Sequence, residues 1–365
     1  MVQYEVYSNA GSGAPLAGRQ VPGTPHNVIQ THSRLGDRVN ACEPPMSILI
    51  TGGAGFIGTH TARLLNGAGL DVVILDNAAS GLREDLRLGT FILGDVADEA
   101  LVRSTIRDHA VTAVIHLAAS AHIGESMQRP DLYFANNVGA TYNLLNAMCA
   151  ENATQFIFAS TCAVYGDSDT SPLREDKAPA PVSPYGESKL QIERALKWYE
   201  TAFGLRWAVL RYFNVAGAEP GLAEDISTSR RIIPRTINCA LNSETRLSVF
   251  GATFPTPDGS AVRDYVHVSD VARANLQALR YVQRGQSGAL LNIASGVGTS
   301  VLEIIDAVTD QTGKKVPFDT CPRRPGDPAY VVADVSMAQK VIGWSPSEST
   351  IEKLVTSVIE SVILR

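Results

Sequence analysis

The sequence predicts an α/β protein: a doubly wound parallel sheet followed by a smaller, less regular C-terminal region. Three observations lead there. From residue 46 short apolar runs alternate with helix-length stretches. The runs are nearly continuous in apolar residues, as strands covered on both faces require. After about residue 215 the rhythm changes and loops lengthen, as in FGATFPTPDGSAVRDY (250–265).

The expected strands are SILIT (47–51), DVVIL (71–75), TFILG (90–94), AVIHLAA (113–119), QFIFAS (155–160) and WAVLRYF (207–213). Helices are expected over 56–68, 98–108, 136–150 and 185–203. Residues 1–45, rich in Gly and Pro and without sustained periodicity, read as a disordered extension or as non-native sequence, with Met46 a candidate start.

Composition excludes several classes. The chain of 365 residues is 45% hydrophobic with formal net charge −6, and it has no Lys/Arg cluster to attract nucleic acid or an anionic membrane. No apolar run reaches the ~18 residues a membrane span needs, and no secretory signal opens the chain. The five cysteines are widely spaced and form no C-x-x-C, which argues against a disulfide framework or a zinc site and for a reducing cytosol.

The first strand runs into Thr51-Gly52-Gly53-Ala54-Gly55-Phe56-Ile57-Gly58 and then a helix. In this context Gly52 permits a tight turn, Gly55 lets the backbone approach a pyrophosphate, and Gly58 lets helix pack on strand. The segment reads as the phosphate-binding turn of a Rossmann-type sheet, with a plain glycine turn as the alternative. Asp76 ends the second strand, where a carboxylate accepts both ribose hydroxyls of NAD and repels the 2′-phosphate of NADP; a plain strand-end Asp is the alternative. Asp95 ends the third strand, in reach of the adenine edge.

Tyr185 and Lys189 stand four apart on one helix face. A phenol titrates near 10, too high for a base at neutral pH, and a nearby lysine cation lowers it. Ser160-Thr161 lies at the carboxyl end of a strand, where open α/β sheets bind ligands, so Thr161 can hydrogen-bond a reacting hydroxyl. A turn cap is its alternative role. His116, on an apolar strand, reads as a packed core histidine.

These features come with further words: HLAA (116–119), GES (124–126), NNV (136–138), STCAVYG (160–166), SPYGESK (183–189), RYFNVAGA (211–218), VRDYVHV (262–268) and RRPGD (323–327). From about Met46 to Trp344 the chain resembles the extended short-chain dehydrogenase/reductase family, and within it the UDP-glucose 4-epimerases. The resemblance implies NAD-dependent inversion at C4 of a UDP-sugar. Tyr185 would move the proton of the 4-hydroxyl, with Thr161 beside it, while hydride passes to NAD and returns to the opposite face. Lys189 would hold the nicotinamide ribose.

The resemblance also places Phe56, Ile57, Asp76, Asn77, Asp95, Val96, Leu117, Asn136 and Phe213 around NAD. It places Asn214, Ser248, Val249, Phe250, Arg263, Arg324 and Asp327 around the UDP-sugar. Two arginines suit a diphosphate because each guanidinium is a fork of charged donors. It implies a homodimer through the helices near 136–150 and 185–203. The expected division is an NAD-binding part over 46–215 and a mainly UDP-sugar-binding part over 216–365, with some elements returning to the sheet.

Three positions depart from the pattern of similar enzymes. Ala121, beside His122, replaces a lysine found in some of them, and Arg230-Arg231 replaces an Asn–Asn pair. Val331 falls where some carry a tyrosine against the sugar's 2-position, which opens the site to UDP-N-acetylhexosamines; a one-residue shift would put Tyr330 there instead. UDP-pentoses are a further option. Two rivals share the fold. A sugar-nucleotide dehydratase or decarboxylase needs an extra acid and base after Thr161, where this chain has Cys162 and Ala163. A non-catalytic NAD-binding module would be expected to lose Tyr185 or Lys189.

Overall fold

The computed structural model describes residues 47–79, 88–167, 171–222, 224–242, 244–324 and 327–363. The expected N-terminal extension and Met46 lie outside the described residues.

The first strand, β1 (Ser47–Thr51), leads through the glycine turn to α1 (Phe56–Gly67) and β2 (Asp71–Asp76). Then follow β3 (Thr90–Leu93), α2 (Glu99–Asp108), β4 (Val111–His116), and two short helices, α3 (Ile123–Gln128) and α4 (Pro130–Tyr133). A π-helical turn over Phe134–Gly139 precedes α5 (Ala140–Ala150) and β5 (Gln155–Thr161). A 3₁₀ turn (Cys162–Tyr165), α6 (Pro184–Phe203) and β6 (Arg206–Tyr212) complete this half.

The chain then builds β7 (Asn214–Ala216), α7 (Ile232–Leu241), β8 (Leu247–Phe250), β9 (Val262–His267) and α8 (Val268–Gln283). It continues with β10 (Ala289–Ile293), β11 (Gly298–Ser300), α9 (Val301–Thr312), β12 (Phe318–Cys321) and β13 (Tyr330–Val331). It ends with α10 (Ser336–Ile342) and α11 (Ile351–Ile363).

Seven strands form one parallel sheet in the order β10-β6-β5-β4-β1-β2-β3. The order reverses direction between β1 and β4, and the carboxyl ends of these two strands open the crevice where such sheets take ligands. The apolar runs explain the layering. Ile48 and Ile50 of β1 with Val72 and Ile74 of β2 face one helix layer, and Leu49 with Val73 and Leu75 faces the other. Both faces are therefore sealed from water, and the strands need no polar positions.

The expected elements are present, with shifts that have local causes. The strand expected over 113–119 ends at His116, because the turn at Gly52 packs against the backbone of Ala118. The strand expected over 207–213 ends at Tyr212; the Phe213 amide still bonds the Ile293 carbonyl at 3.1 Å, and its side chain joins a small cluster with Val164, Tyr165, Leu173 and Leu190. The helix expected from 136 opens as a π turn, a form that recurs at functional sites. Beyond residue 215, β10 returns to pair with β6, and α8 lays Val271, Ala274 and Leu279 on the same core as α1. The rest forms a small sheet around β9, flanked by β11, β13 and β7, plus the parallel pair β8–β12.

Candidate active site

At the first crossover the geometry leaves no room for side chains. Gly52 has φ 70°, and a Cβ there would lie 2.5 Å from the Ala118 amide nitrogen. A Cβ on Gly58 would lie 2.3 Å from the Gly52 carbonyl oxygen. Gly55 is looser, with its nearest neighbour 3.3 Å away, and it borders an open cleft. Helix α1 starts there with no side-chain cap and no acidic residue in its first turn. Its first helical bond runs from Thr59 N–H to Gly55, so the amides of Phe56, Ile57 and Gly58 have no partner within the helix.

The cleft measures about 410 Å³ and is lined by Gly52, Gly55, Asp76, Asn77, Asp95, Val96, Leu117 and Asn136. The Asp76 carboxylate accepts from the Ala54 amide at 3.0 Å and the Ala78 amide at 2.8 Å. Each of its oxygens keeps a lone pair for a ribose hydroxyl. Asn77 donates to Asp95 at 3.1 Å, and Asn136 donates to the Ser120 hydroxyl at 3.0 Å. A cradle that any Cβ would fill, an uncapped helix start and a fixed carboxylate suit NAD.

His116 forms the floor. It bonds Thr51 at 2.6 Å and Thr141 at 2.9 Å, packs its ring beside those of Phe156 and Phe158 in a buried cluster, and is pushed down to about 3 by burial. It is a satisfied neutral core histidine.

Beyond the cleft, Ser183 caps α6 by accepting from the Gly186 amide at 3.2 Å, with Pro184 at the first helical position. Gly186 lets the helix start close on the 3₁₀ turn: a Cβ there would lie 2.7 Å from the Ala163 carbonyl. This brings Tyr185 near Thr161 at the end of β5, close enough for the threonine hydroxyl to favour the phenolate. Thr161 also accepts the Ala163 amide at 3.1 Å, so it serves as a turn cap as well. Lys189 is buried one turn along, its ammonium 4.8 Å from the centre of the Phe158 ring.

The electrostatics differ from the expectation of a lowered phenol. Burial pushes Tyr185 up to about 12, against the opposing influence of the Thr161 hydroxyl. Burial pulls Lys189 down to about 7, against the pull of Glu193. In the protein alone desolvation dominates both groups: the Tyr185 phenol stays protonated at neutral pH, and Lys189 is brought into its titration range there.

Several residues beneath the site escaped the sequence reading. Glu193 takes two bonds from Arg211, at 3.0 and 2.6 Å, and a short one from Ser160, all buried. It continues the Tyr185–Lys189 spacing by one more turn, which is the signal that could have found it. Asn137, beside Asn136, accepts from the Ser120 amide and donates to the Ser120 carbonyl and Ser188, tying the β4 loop to α6.

A second cavity, of about 210 Å³, is lined by Ser248, Val249 and Phe250 of β8, Arg263 of β9, Arg324 and Asp327. The guanidinium of Arg263 pairs with Asp327 and donates to the Val262 carbonyl at 2.8 Å, and that of Arg324 lies 3.8 Å over the Phe250 ring. Arg230 and Arg235 also line this cavity, and the sequence reading had passed over Arg235. Asn214, on β7, pairs in register with the buried Tyr265 of β9.

Val331 pairs in register with Arg263 and packs on the cluster that holds Phe213, with Cys162 at its edge. Tyr330 pairs with Val262 and lines a different cavity, with Pro257 and Asp258. Strand alternation therefore puts Val331, not Tyr330, on the Phe213 side.

Residues 48–294 match the NAD dependent epimerase/dehydratase family. The chain belongs to that family. It is 40% identical over 313 residues to the UDP-glucose 4-epimerase of Halalkalibacterium halodurans, covering 85% of this chain and 93% of that one. The crystal structure of UDP-glucose 4-epimerase from Brucella ovis in complex with NAD superposes with TM-score 0.83 at 38% identity, covering 87% of this chain and 98% of that one. The UDP-glucose 4-epimerase from Bifidobacterium longum in complex with NAD+ and UDP gives TM-score 0.81 at 34% identity, covering 87% and 98%. The Rossmann-type sheet and the NAD dependence implied by the glycine turn and Asp76 thus agree with the family. Tyr185 and Arg263 lie within the residues that match the family.

Proposed function

We propose that the protein interconverts UDP-sugars that differ at C4, with UDP-glucose and UDP-galactose as the default pair. The observation that carries this is the approach of Tyr185 to Thr161 at the carboxyl end of β5, in a protein that also holds the glycine-turn cleft and the arginine-lined cavity. NAD, when bound, takes a hydride from C4 and gives it back, and its oxidised nicotinamide adds a positive charge.

Tyr185 takes the proton of the 4-hydroxyl and returns it, and Thr161 orients that hydroxyl. Lys189 offsets charge on the phenol and holds ribose hydroxyls. Gly52, Gly55, Phe56, Ile57, Gly58, Asp76, Asn77, Asp95, Val96, Leu117, Asn136 and Phe213 form the NAD site. Asn214, Ser248, Val249, Phe250, Arg263, Arg324 and Asp327 hold the UDP part, so that the nucleotide stays anchored while the sugar turns. Residues 46–215 supply chiefly the first set and 216–365 the second.

Dehydration would require a second acid and base beside Thr161. The Cys162 thiol is pushed up to about 11 by burial and Ala163 has no titratable group. Incubation with UDP-galactose and analysis of the products tests the reading. UDP-glucose at equilibrium supports it; a 4-keto-6-deoxy product, or none with both nucleotides bound, overturns it.

Val331 favours a second substrate class, since a valine beside Phe213 leaves room that a tyrosine would fill; UDP-N-acetylhexosamines then enter as well. We also propose a homodimer through α5 and α6. Trp198 and Phe203 on α6 are 71% and 59% exposed, which a partner helix pair would cover. A monomeric mass at micromolar concentration would sink this. No described helix is long and apolar enough to cross a membrane, and the described cysteines are free. A cytosolic location accords with both.

A further inference from the structure

Arg230 and Arg231 are adjacent, yet their side chains engage different parts of the molecule. Arg230 lines the arginine-rich cavity and places Nη1 3.1 Å from His122 Nε2, on the loop after β4. Arg231 does not join it. Its guanidinium lies 3.8 Å over the ring of Phe56, the first residue of α1, and its Nη1 donates to Glu224 at 2.6 Å. Phe56 directly follows the glycine turn and contributes one of the unpartnered amides at the mouth of the cofactor cleft.

The backbone makes Arg231 part of the other site. It is the N-cap residue of α7, held by a bond from its amide to the Ser229 hydroxyl at 3.1 Å. The first turn of α7 forms a wall of the nucleotide cavity through Ile232 and Arg235. A ligand that settles this turn therefore settles Arg231 as well. A planar cation stacked on Phe56 in turn limits how far the start of α1 can move. The planar fork of arginine can stack on a ring and pair with a carboxylate at once, whereas asparagine has no charge to place over the ring.

We propose that Arg231 is a positioning residue that couples the two sites: nucleotide bound in the arginine-rich cavity strengthens NAD binding through the Arg231–Phe56 stack. By linkage, NAD strengthens nucleotide binding by the same factor. The proposal rests on the reading that this cavity takes the UDP part of the substrate. A stack of this kind carries roughly a three- to tenfold effect on affinity.

Equilibrium dialysis of the full chain against NAD, with and without saturating UDP, measures the coupling, and UDP titration in parallel measures nucleotide binding. In the native protein UDP tightens NAD binding roughly three- to tenfold. In Arg231→Ala that factor falls to about one, while UDP alone still binds. Phe56→Leu shows the same loss, and the double variant loses nothing further, since the two residues act as one unit. A coupling factor unchanged in Arg231→Ala overturns the inference. So does weaker UDP binding in that variant with the factor intact, which would place Arg231 in the nucleotide cavity. If the native protein binds NAD but not UDP, the reading of the cavity itself fails, a result distinct from both.

Discussion

The cofactor cleft and the nucleotide cavity both suit a diphosphate, and they are made of different material. Among the described residues, the cleft at the end of β1 is lined by the glycine turn, two aspartates, neutral polar side chains such as Asn77 and Asn136, and apolar ones, with no arginine or lysine. The cavity beside β8 and β9 is lined by Arg230, Arg235, Arg263 and Arg324, with Asp327 as its carboxylate. The first attracts phosphate with amides and a helix terminus, which exist only if the fold does. The second attracts it with side chains that move independently and are screened by salt. A fixed site suits a ligand that stays, and an adjustable one suits a ligand that must come and go.

The largest test removes the group proposed to act on the sugar that both ligands serve. Tyr185→Phe is expected to lower kcat by ~10²–10⁴, the span for a lost general acid/base, with NAD content and UDP affinity intact. Near-normal turnover would remove Tyr185 from its role and leave the comparison without a catalytic link.

Next comes the backbone site. Gly52→Ala places a Cβ 2.5 Å from the Ala118 nitrogen at φ 70°. Strain and overpacking together cost about 2–5 kcal/mol. The expected outcome is a fall in the melting temperature together with loss of bound NAD. A variant that keeps both would show that the turn tolerates a side chain and that its tightness is not what builds the site.

Legibility in the sequence follows the same division. The cofactor turn is local: Gly52 to Gly58 span a single strand–turn–helix, so spacing alone carries the geometry. The strands were legible because both faces are sealed, which leaves unbroken apolar runs such as SILIT and DVVILD. The nucleotide cavity draws on positions 230 to 327, scattered over the start of α7, the four-residue β8, the six-residue β9 and loop residues, so no single periodicity spans it. Only the resemblance led to Arg263 and Arg324, and Arg235, outside the quoted motifs, was missed. The raised phenol was out of reach for another reason. Sequence shows that Lys189 is near Tyr185, but not that Lys189 is buried and Tyr185 half-buried before any cofactor adds its charge.

A smaller effect sharpens the contrast between the two materials. Arg263→Ala and Arg324→Ala each remove charged hydrogen bonds and are expected to raise KM for the UDP-sugar by ~10–100-fold, with NAD content unchanged. Raising salt should weaken UDP binding and leave NAD in place. Equal salt dependence of the two ligands would mean that the cleft, too, relies on side-chain charge.

The smallest expected change falls on the default reaction and concerns Val331. Its neighbour Tyr330 pairs with Val262 and faces a separate cavity, so the residue on the Phe213 side is a valine with Cys162 close by. Size at this point decides whether a 2-acetamido group has space. Discrimination by filling a pocket is worth ~10–200-fold per methylene-scale change, while a sugar with a plain 2-hydroxyl does not reach the filled space. Val331→Tyr is therefore expected to lower kcat/KM for UDP-N-acetylglucosamine by at least ~10-fold and to leave UDP-glucose within about threefold. Measuring both pairs in both proteins decides it. No acetamido activity in the native protein would sink the second substrate class. An equal loss of both activities in the variant would mean that the tyrosine disturbs the Phe213 cluster rather than closing a gate.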